Sequence, residues 1–204
     1  MYRLYDFQTS GNGYKVRLML NLLNLPFQYT EVNILEGKSH TPEFLAINPN
    51  GRIPVLITPE GETLIESNAI LCYLAENTPF MPQDRLERAR VMQWLFYEQY
   101  SHEPFIATSR FWLFCSGTPE KFTDKVAEKR EGGLKALALM DSHLAGKTYM
   151  AAETYTIADI ALYAYTHVAH EGGFPLDDYP NIQKWLDRIA AHPRHIPITD
   201  TSGN

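Results

Sequence analysis

The chain has 204 residues, 45% of them apolar and 21% charged, enough to bury a core in one large domain or two small ones. A net charge of -6 with no lysine- or arginine-rich run excludes a nucleic-acid footprint, which needs clustered cations to neutralise phosphates. No apolar run reaches the roughly 18 residues that a membrane span needs, and Cys72 and Cys115 make neither a disulfide framework nor a zinc site, which fits a reducing cytoplasm.

Met1-Tyr2-Arg3-Leu4-Tyr5-Asp6 lacks the apolar stretch of a secretory leader, so none is expected. Tyr2 to Phe7 reads as a strand, and Thr9 to Gly13 as a turn cluster. Val16, Met19, Leu20 and Leu23 then recur at helical spacing as far as Asn24, with Pro26 as the stop. Phe27, Tyr29 and Val32 resume a strand. Thr41 and Pro42 open a short helix as N-cap and first helical residue. Val55 to Thr58 and Thr63 to Ile65 flank Pro59-Glu60-Gly61-Glu62, a hairpin signal, and Ser67 to Glu76 reads as a helix. A helix joining the first two strands makes them parallel, and the tight hairpin makes the last two antiparallel. The expected fold is α/β, with a mixed four-stranded, thioredoxin-like sheet over residues 1–78.

The prolines of Glu76 to Asp84 mark a linker, and residues 85–204 are expected to form an all-α domain. Its first helix runs from Arg85 to about Cys115, bent at Pro104. A second spans Glu120 to Leu144, with Gly132-Gly133 as an internal weakness and Gly146 as C-cap. Thr156 and Asp159 form a capping box that opens a third, stopped at Gly172-Gly173. The last covers Asn181 to Ala191, with Ile182, Trp185, Leu186 and Ile189 inward.

Four local features carry candidate chemistry. Ser10-Gly11-Asn12-Gly13 lies where a strand turns into a helix, whose N-terminus favours an anion. Ser10 and Asn12 supply donors there, or simply cap the helix. In Asn48-Pro49-Asn50-Gly51-Arg52-Ile53-Pro54-Val55, a cis Ile53-Pro54 bond would turn the Ile53 backbone toward a peptide-like ligand; a trans bond would make an ordinary loop-to-strand junction. Glu66-Ser67 suits a zwitterionic amino-acid end, or is an N-cap with a dipole-matching acid. His40, after Lys38-Ser39, and Arg52 would meet a second carboxylate, unless they are solvated loop charges.

The segments SGNGYKVRL, TPEFLAINPNGRIPVL, LIESNAILCYLAE and TIADIALYAY, in that order over essentially the whole chain, resemble the cytosolic glutathione transferases. The likeness is to the bacterial type with Ser and Asn in the active-site turn, similar to the Nu-class-like disulfide reductases. The resemblance implies glutathione as co-substrate, with Ser10 donating to its sulfur and Asn12 supporting. Ile53, ahead of a cis Pro54, would pair with the cysteinyl segment, Glu66 and Ser67 would hold the γ-glutamyl end, and His40 with Arg52 would lie near the glycyl carboxylate. Two positions depart from the family pattern: His40 stands where many members have another basic residue, and Gly13 where relatives often have cysteine. Tyr5 does not match the catalytic tyrosine of tyrosine-type members and reads as core.

Lowering a thiol pKa from about 8.5 by about two units takes about 2.7 kcal/mol. A hydrogen bond to a charged acceptor supplies roughly 1.5–3 kcal/mol and a helix N-terminus roughly 0.3–1 kcal/mol. The turn therefore suffices without a metal. The second substrate is expected between the domains, with Tyr100 and Arg110 partly exposed to it. The expected function is transfer of glutathione to small electrophiles. The alternatives are a glutathione-dependent disulfide oxidoreductase and a non-catalytic interaction module. The resemblance also implies a homodimer.

Overall fold

The computed structural model describes residues 1–202 of the 204. They divide into two compact units, Met1–Leu74 with the segment from Pro193 onward, and Ala75–His192. The sequence pattern groups residues 193–204 with the helical domain, whereas Pro193 to Ser202 belong to the first unit.

The first unit runs β1 (Tyr2–Asp6), α1 (Gly11–Leu22), β2 (Phe27–Glu31), α2 (Pro42–Leu45), β3 (Val55–Ile57), β4 (Thr63–Ile65) and α3 (Ser67–Ala75). The sheet order is β2-β1-β3-β4, with β1 and β2 parallel and the other pairs antiparallel. The hairpin closes at Gly61, whose φ of 95° only glycine adopts without strain, with its amide donating to the Thr58 carbonyl at 3.0 Å. Alternation along β1 sends Leu4 and Asp6 to one face, both fully buried. Tyr5 goes to the other, in a cluster with Val32, Phe44, Val55, Ile47 and Ile53. Helix α1 is buried almost all round, its polar Lys15 and Arg17 included.

Helix α1 is also the anchor for the returning segment. The Tyr14 hydroxyl donates to the Ile196 carbonyl at 2.6 Å, and Arg17 Nη1 donates to the carbonyls of Ile198 and Asp200 at 2.7 and 2.6 Å. Gln8 Nε2 donates to the Thr199 carbonyl at 2.8 Å, and Arg194 to the Leu22 carbonyl at 3.2 Å.

The second unit contains α4 (Arg85–Tyr97), α5 (Glu103–Arg110), α6 (Thr123–Leu144), α7 (Ile157–Thr166) and α8 (Pro180–Ala190). Pro104 cannot donate to the Tyr100 carbonyl, and the helix answers by widening. Residues Glu98–His102 form a π turn, in which the Glu103 amide reaches back five residues to the Glu98 carbonyl. A second π turn covers Phe111–Cys115. Gly132 and Gly133 prove to be points of close packing rather than weak links: added Cβ atoms would lie 2.2 Å from the Phe105 ring and 2.3 Å from the Phe174 ring.

Helix α7 is buried along its whole length. Asp159 organises its start. Its carboxylate accepts from the amides of Met150 (2.8 Å) and Thr156 (2.9 Å), from the Thr156 hydroxyl (3.1 Å) and from the Trp185 indole (2.9 Å). Ile182, Trp185 and Ile189 of α8 face inward as the spacing predicts, with Leu186 half-buried.

Candidate functional site

Three turns of the first unit carry the candidate residues, and a hydrogen bond joins the first of them to the third. Ser10 is the N-cap of α1, with extended backbone (φ -70°, ψ 124°) and its Oγ accepting the Gly13 amide at 3.2 Å. Capping uses the oxygen as acceptor and leaves the hydroxyl hydrogen as donor. The capping role and the anion-donor role of Ser10 are therefore compatible. Asn12, one residue into the helix, accepts the Ser67 hydroxyl on its Oδ1 at 3.1 Å. That bond joins the start of α1 to the start of α3.

The second turn precedes β3. The Ile53-Pro54 bond is cis, the isomer that the ligand-facing reading of Ile53 requires. Asn48, 2% exposed, holds the turn by donating from Nδ2 to the Arg52 carbonyl at 2.7 Å and accepting the Asn50 amide at 3.0 Å. Gly51, at φ 63°, lets the chain pass beneath the His40 ring, where a Cβ would come within 2.7 Å. His40 and Arg52 are thus neighbours through Gly51, both exposed.

The third turn opens α3. Glu66 is exposed and has φ 67°, a left-handed conformation that costs a non-glycine residue on the order of 1–3 kcal/mol and clusters at functional sites. Its carbonyl accepts the Ile70 amide at 2.9 Å, so the Glu66 backbone takes part in capping. Ser67 is 6% exposed and gives its hydroxyl proton to Asn12. The first-turn amides of α3 point out of the helix, as they do at any N-terminus.

Beneath this surface lie residues that the sequence pattern did not single out. Lys15, fully buried, donates to Ser67 Oγ and to Asn68 Oδ1, each at 3.3 Å. Arg17 Nε pairs with Asp6 Oδ2 at 2.9 Å, both side chains fully buried. Burial pushes the Asp6 carboxyl up to about 7, against the lowering pull of Arg17. The Asp6 carboxylate fills the space behind Gly13, where a Cβ would sit 1.5 Å from Asp6 Oδ1. The departure at Gly13 therefore has a steric cause: with Asp6 behind the turn, this chain has no room for a cysteine there. Two cations in a helix with apolar residues on every side were the available sequence signal.

In the second unit the structure separates the two expected pocket residues. Tyr100, on the first π turn, is 84% exposed. Arg110 is not partly exposed as expected: it is 3% exposed, donating to Glu171 Oε2 at 2.6 Å, with its guanidinium 5.1 Å from the centre of the Phe114 ring. The side chain is drawn inward because Gly172, lacking a Cβ, lets its turn approach the α5 backbone at Arg110. His102 is buried and bonded to Thr166 Oγ1 at 2.9 Å, a local hydrogen-bonding residue. Among the described residues no three His, Cys, Asp or Glu side chains converge as a metal site would require, and no helix is long and apolar enough to cross a membrane.

Comparison with known proteins fits this geometry. The family models for the N-terminal and C-terminal domains of glutathione S-transferase match residues 9–77 and 94–193. The fold is similar to the crystal structure of a glutathione S-transferase from Pseudomonas fluorescens, at 51% identity and TM-score 0.94, covering 98% of this chain and 99% of that one. It is also similar to a glutathione transferase from Burkholderia graminis with two glutathione molecules bound per subunit. There the identity is 28% and the TM-score 0.84, covering 98% of this chain and 88% of that one. In sequence it is 30% identical to the disulfide-bond oxidoreductase YfcG of Escherichia coli, over 92% of this chain and 89% of that protein. With both family domains matched in order, and the serine-capped helix, the cis-proline and the strained Glu66 occupying the three turns of the first unit, the chain belongs to the glutathione S-transferase family.

Proposed function

We propose that the first unit binds glutathione and holds its sulfur as a thiolate at the start of α1, for attack on small electrophiles. The observation that carries this reading is Ser10. Its oxygen is committed to the helix cap, so its remaining hydrogen is a donor at the positive end of α1, beside Asn12. In this reading Ile53 pairs with the cysteinyl segment, Glu66 takes the α-ammonium group, and the Ser67 amide with its neighbours takes the γ-glutamyl carboxylate. His40 and Arg52 serve the glycyl end. Tyr100 is assigned to the second substrate. Arg110 is instead a structural partner of Glu171. The protein acts as a cytoplasmic homodimer, which light scattering would test.

A second reading, disulfide reduction, has to work without a cysteine at position 13, whose place Asp6 occupies. A disulfide reductase built on this turn would take all its reactive sulfur from glutathione, and the similarity to the disulfide-bond oxidoreductase YfcG supports that reaction class. Initial rates with an aromatic halide, an organic peroxide and 2-hydroxyethyl disulfide, at millimolar glutathione, separate the readings. A dominant halide rate supports the transferase, and a dominant disulfide rate the reductase. Inactivity with all three, together with no heat of glutathione binding, would leave a non-catalytic module.

A further inference from the structure

Lys15 is fully buried and bonded to the first residues of α3. An ammonium group has only hydrogens to offer, so its bonds to Ser67 Oγ and to Asn68 Oδ1 must run outward from the lysine. Ser67 Oγ is thereby an acceptor toward Lys15. Its own hydrogen points the other way, to Asn12 Oδ1 at 3.1 Å. Once the Asn12 oxygen is held by that hydrogen, the amide plane is fixed, and its NH2 end is the end turned away from Ser67. A carboxamide left to itself could present either end, and only the nitrogen end attracts an anion.

We propose that Lys15 is a positioning residue: by dictating the direction of the hydrogen-bond chain Lys15 to Ser67 to Asn12, it makes Asn12 present its amide nitrogen to the bound anion. The inference rests on the assignment of the glutathione sulfur to this turn. It gives a buried cation, expensive to desolvate, a function that packing alone does not explain. It also separates the roles of the two site side chains. Ser10 acts directly, and Asn12 acts in an orientation set from inside the fold.

The test is K15M, which keeps the length of the side chain and removes its donors, with N12A and the double variant beside it. The thiolate absorbance of bound glutathione is titrated against pH, and thermal melts check folding. Loss of one oriented donor should raise the bound thiol pKa by about 0.5–1 unit, a roughly three- to tenfold fall in its acid dissociation constant. The double variant should match N12A alone, since Lys15 acts through Asn12. An unshifted thiol pKa in folded K15M, or shifts that add in the double variant, would overturn the proposal. Should K15M not fold, S67A breaks the same chain at its middle link and must raise the thiol pKa likewise; no rise there also overturns it. Wild-type protein that bound no glutathione would bring down the functional reading itself, whereas normal wild-type binding with an indifferent K15M would remove only the role of Lys15.

Discussion

Replacing Gly13 by alanine drives a methyl group into the Asp6 carboxylate. The added Cβ would lie 1.5 Å from Asp6 Oδ1, where contacts under 3.0 Å essentially never occur, so the carboxylate must retreat by roughly 1.5 Å. It has no slack to do so, since Asp6 and Arg17 are fully buried and bonded at 2.9 Å. Overpacking of a core costs about 1–3 kcal/mol, and breaking a buried pair about 3–5 kcal/mol. G13A should therefore destabilise by about 3 kcal/mol. In D6A the same methyl meets an emptied space, while Arg17 keeps the carbonyls of Gln8, Ile198 and Asp200. The G13A/D6A pair should then be hardly less stable than D6A alone, giving a coupling of about 3 kcal/mol in a double-mutant cycle. Urea unfolding followed by circular dichroism at pH 8, where Asp6 is ionised, measures all four corners. If the two single effects add to within about 0.5 kcal/mol, the clash is not what keeps position 13 a glycine.

Other expectations concern the site and the fold. S10A should cut turnover roughly tenfold or more with a smaller change in glutathione affinity, because one charge-assisted hydrogen bond contributes about 1.5–3 kcal/mol to thiolate formation; steady-state kinetics beside calorimetry would show it, and unchanged turnover would remove Ser10 from the chemistry. E66A should do the reverse, weakening glutathione binding with little effect on turnover at saturation, which the same two measurements check. D159A orphans the buried amides of Met150 and Thr156 and the Trp185 indole, and at about 1–3 kcal/mol each should destabilise by about 4 kcal/mol; D159N, retaining one oxygen, should recover part, read from urea midpoints. The raised Asp6 pKa sets a pH dependence. Between the ordinary carboxylate value of about 3.9 and about 7, the folded chain keeps a proton that the unfolded chain has released, so the contribution of Asp6 declines as pH rises through that window and is level above it. Urea midpoints of D6N from pH 4 to pH 8 should lack that decline.

The parts of the fold legible from sequence were those whose cause is local. The helix starts at Ser10, Thr41 and Thr156, and the hairpin at Gly61, are set by side chains within a few positions of the backbone they satisfy. The site turns were legible for the same reason. What pattern reading missed depends on partners far along the chain. Lys15 and Arg17 were not singled out because their acceptors lie on α3, on β1 and near residue 200. Arg110 read as a pocket residue because Glu171 stands 61 positions away. Gly132 and Gly133 read as flaws because the rings they admit belong to other elements. A proline announces that a helix must change course, but not that it will do so by a wider turn.

The clamp of Arg17 on residues 198 and 200 bears on how the molecule is made. A nascent chain exposes α1 early, yet the carbonyls that satisfy its arginine are synthesised only after every helix of the other unit has been translated. The first 74 residues therefore emerge as an unfinished structure, with a guanidinium still seeking acceptors, and await the arrival of a distant strand of backbone to close. Vectorial synthesis, which usually lets an N-terminal domain fold first, here finishes that domain last.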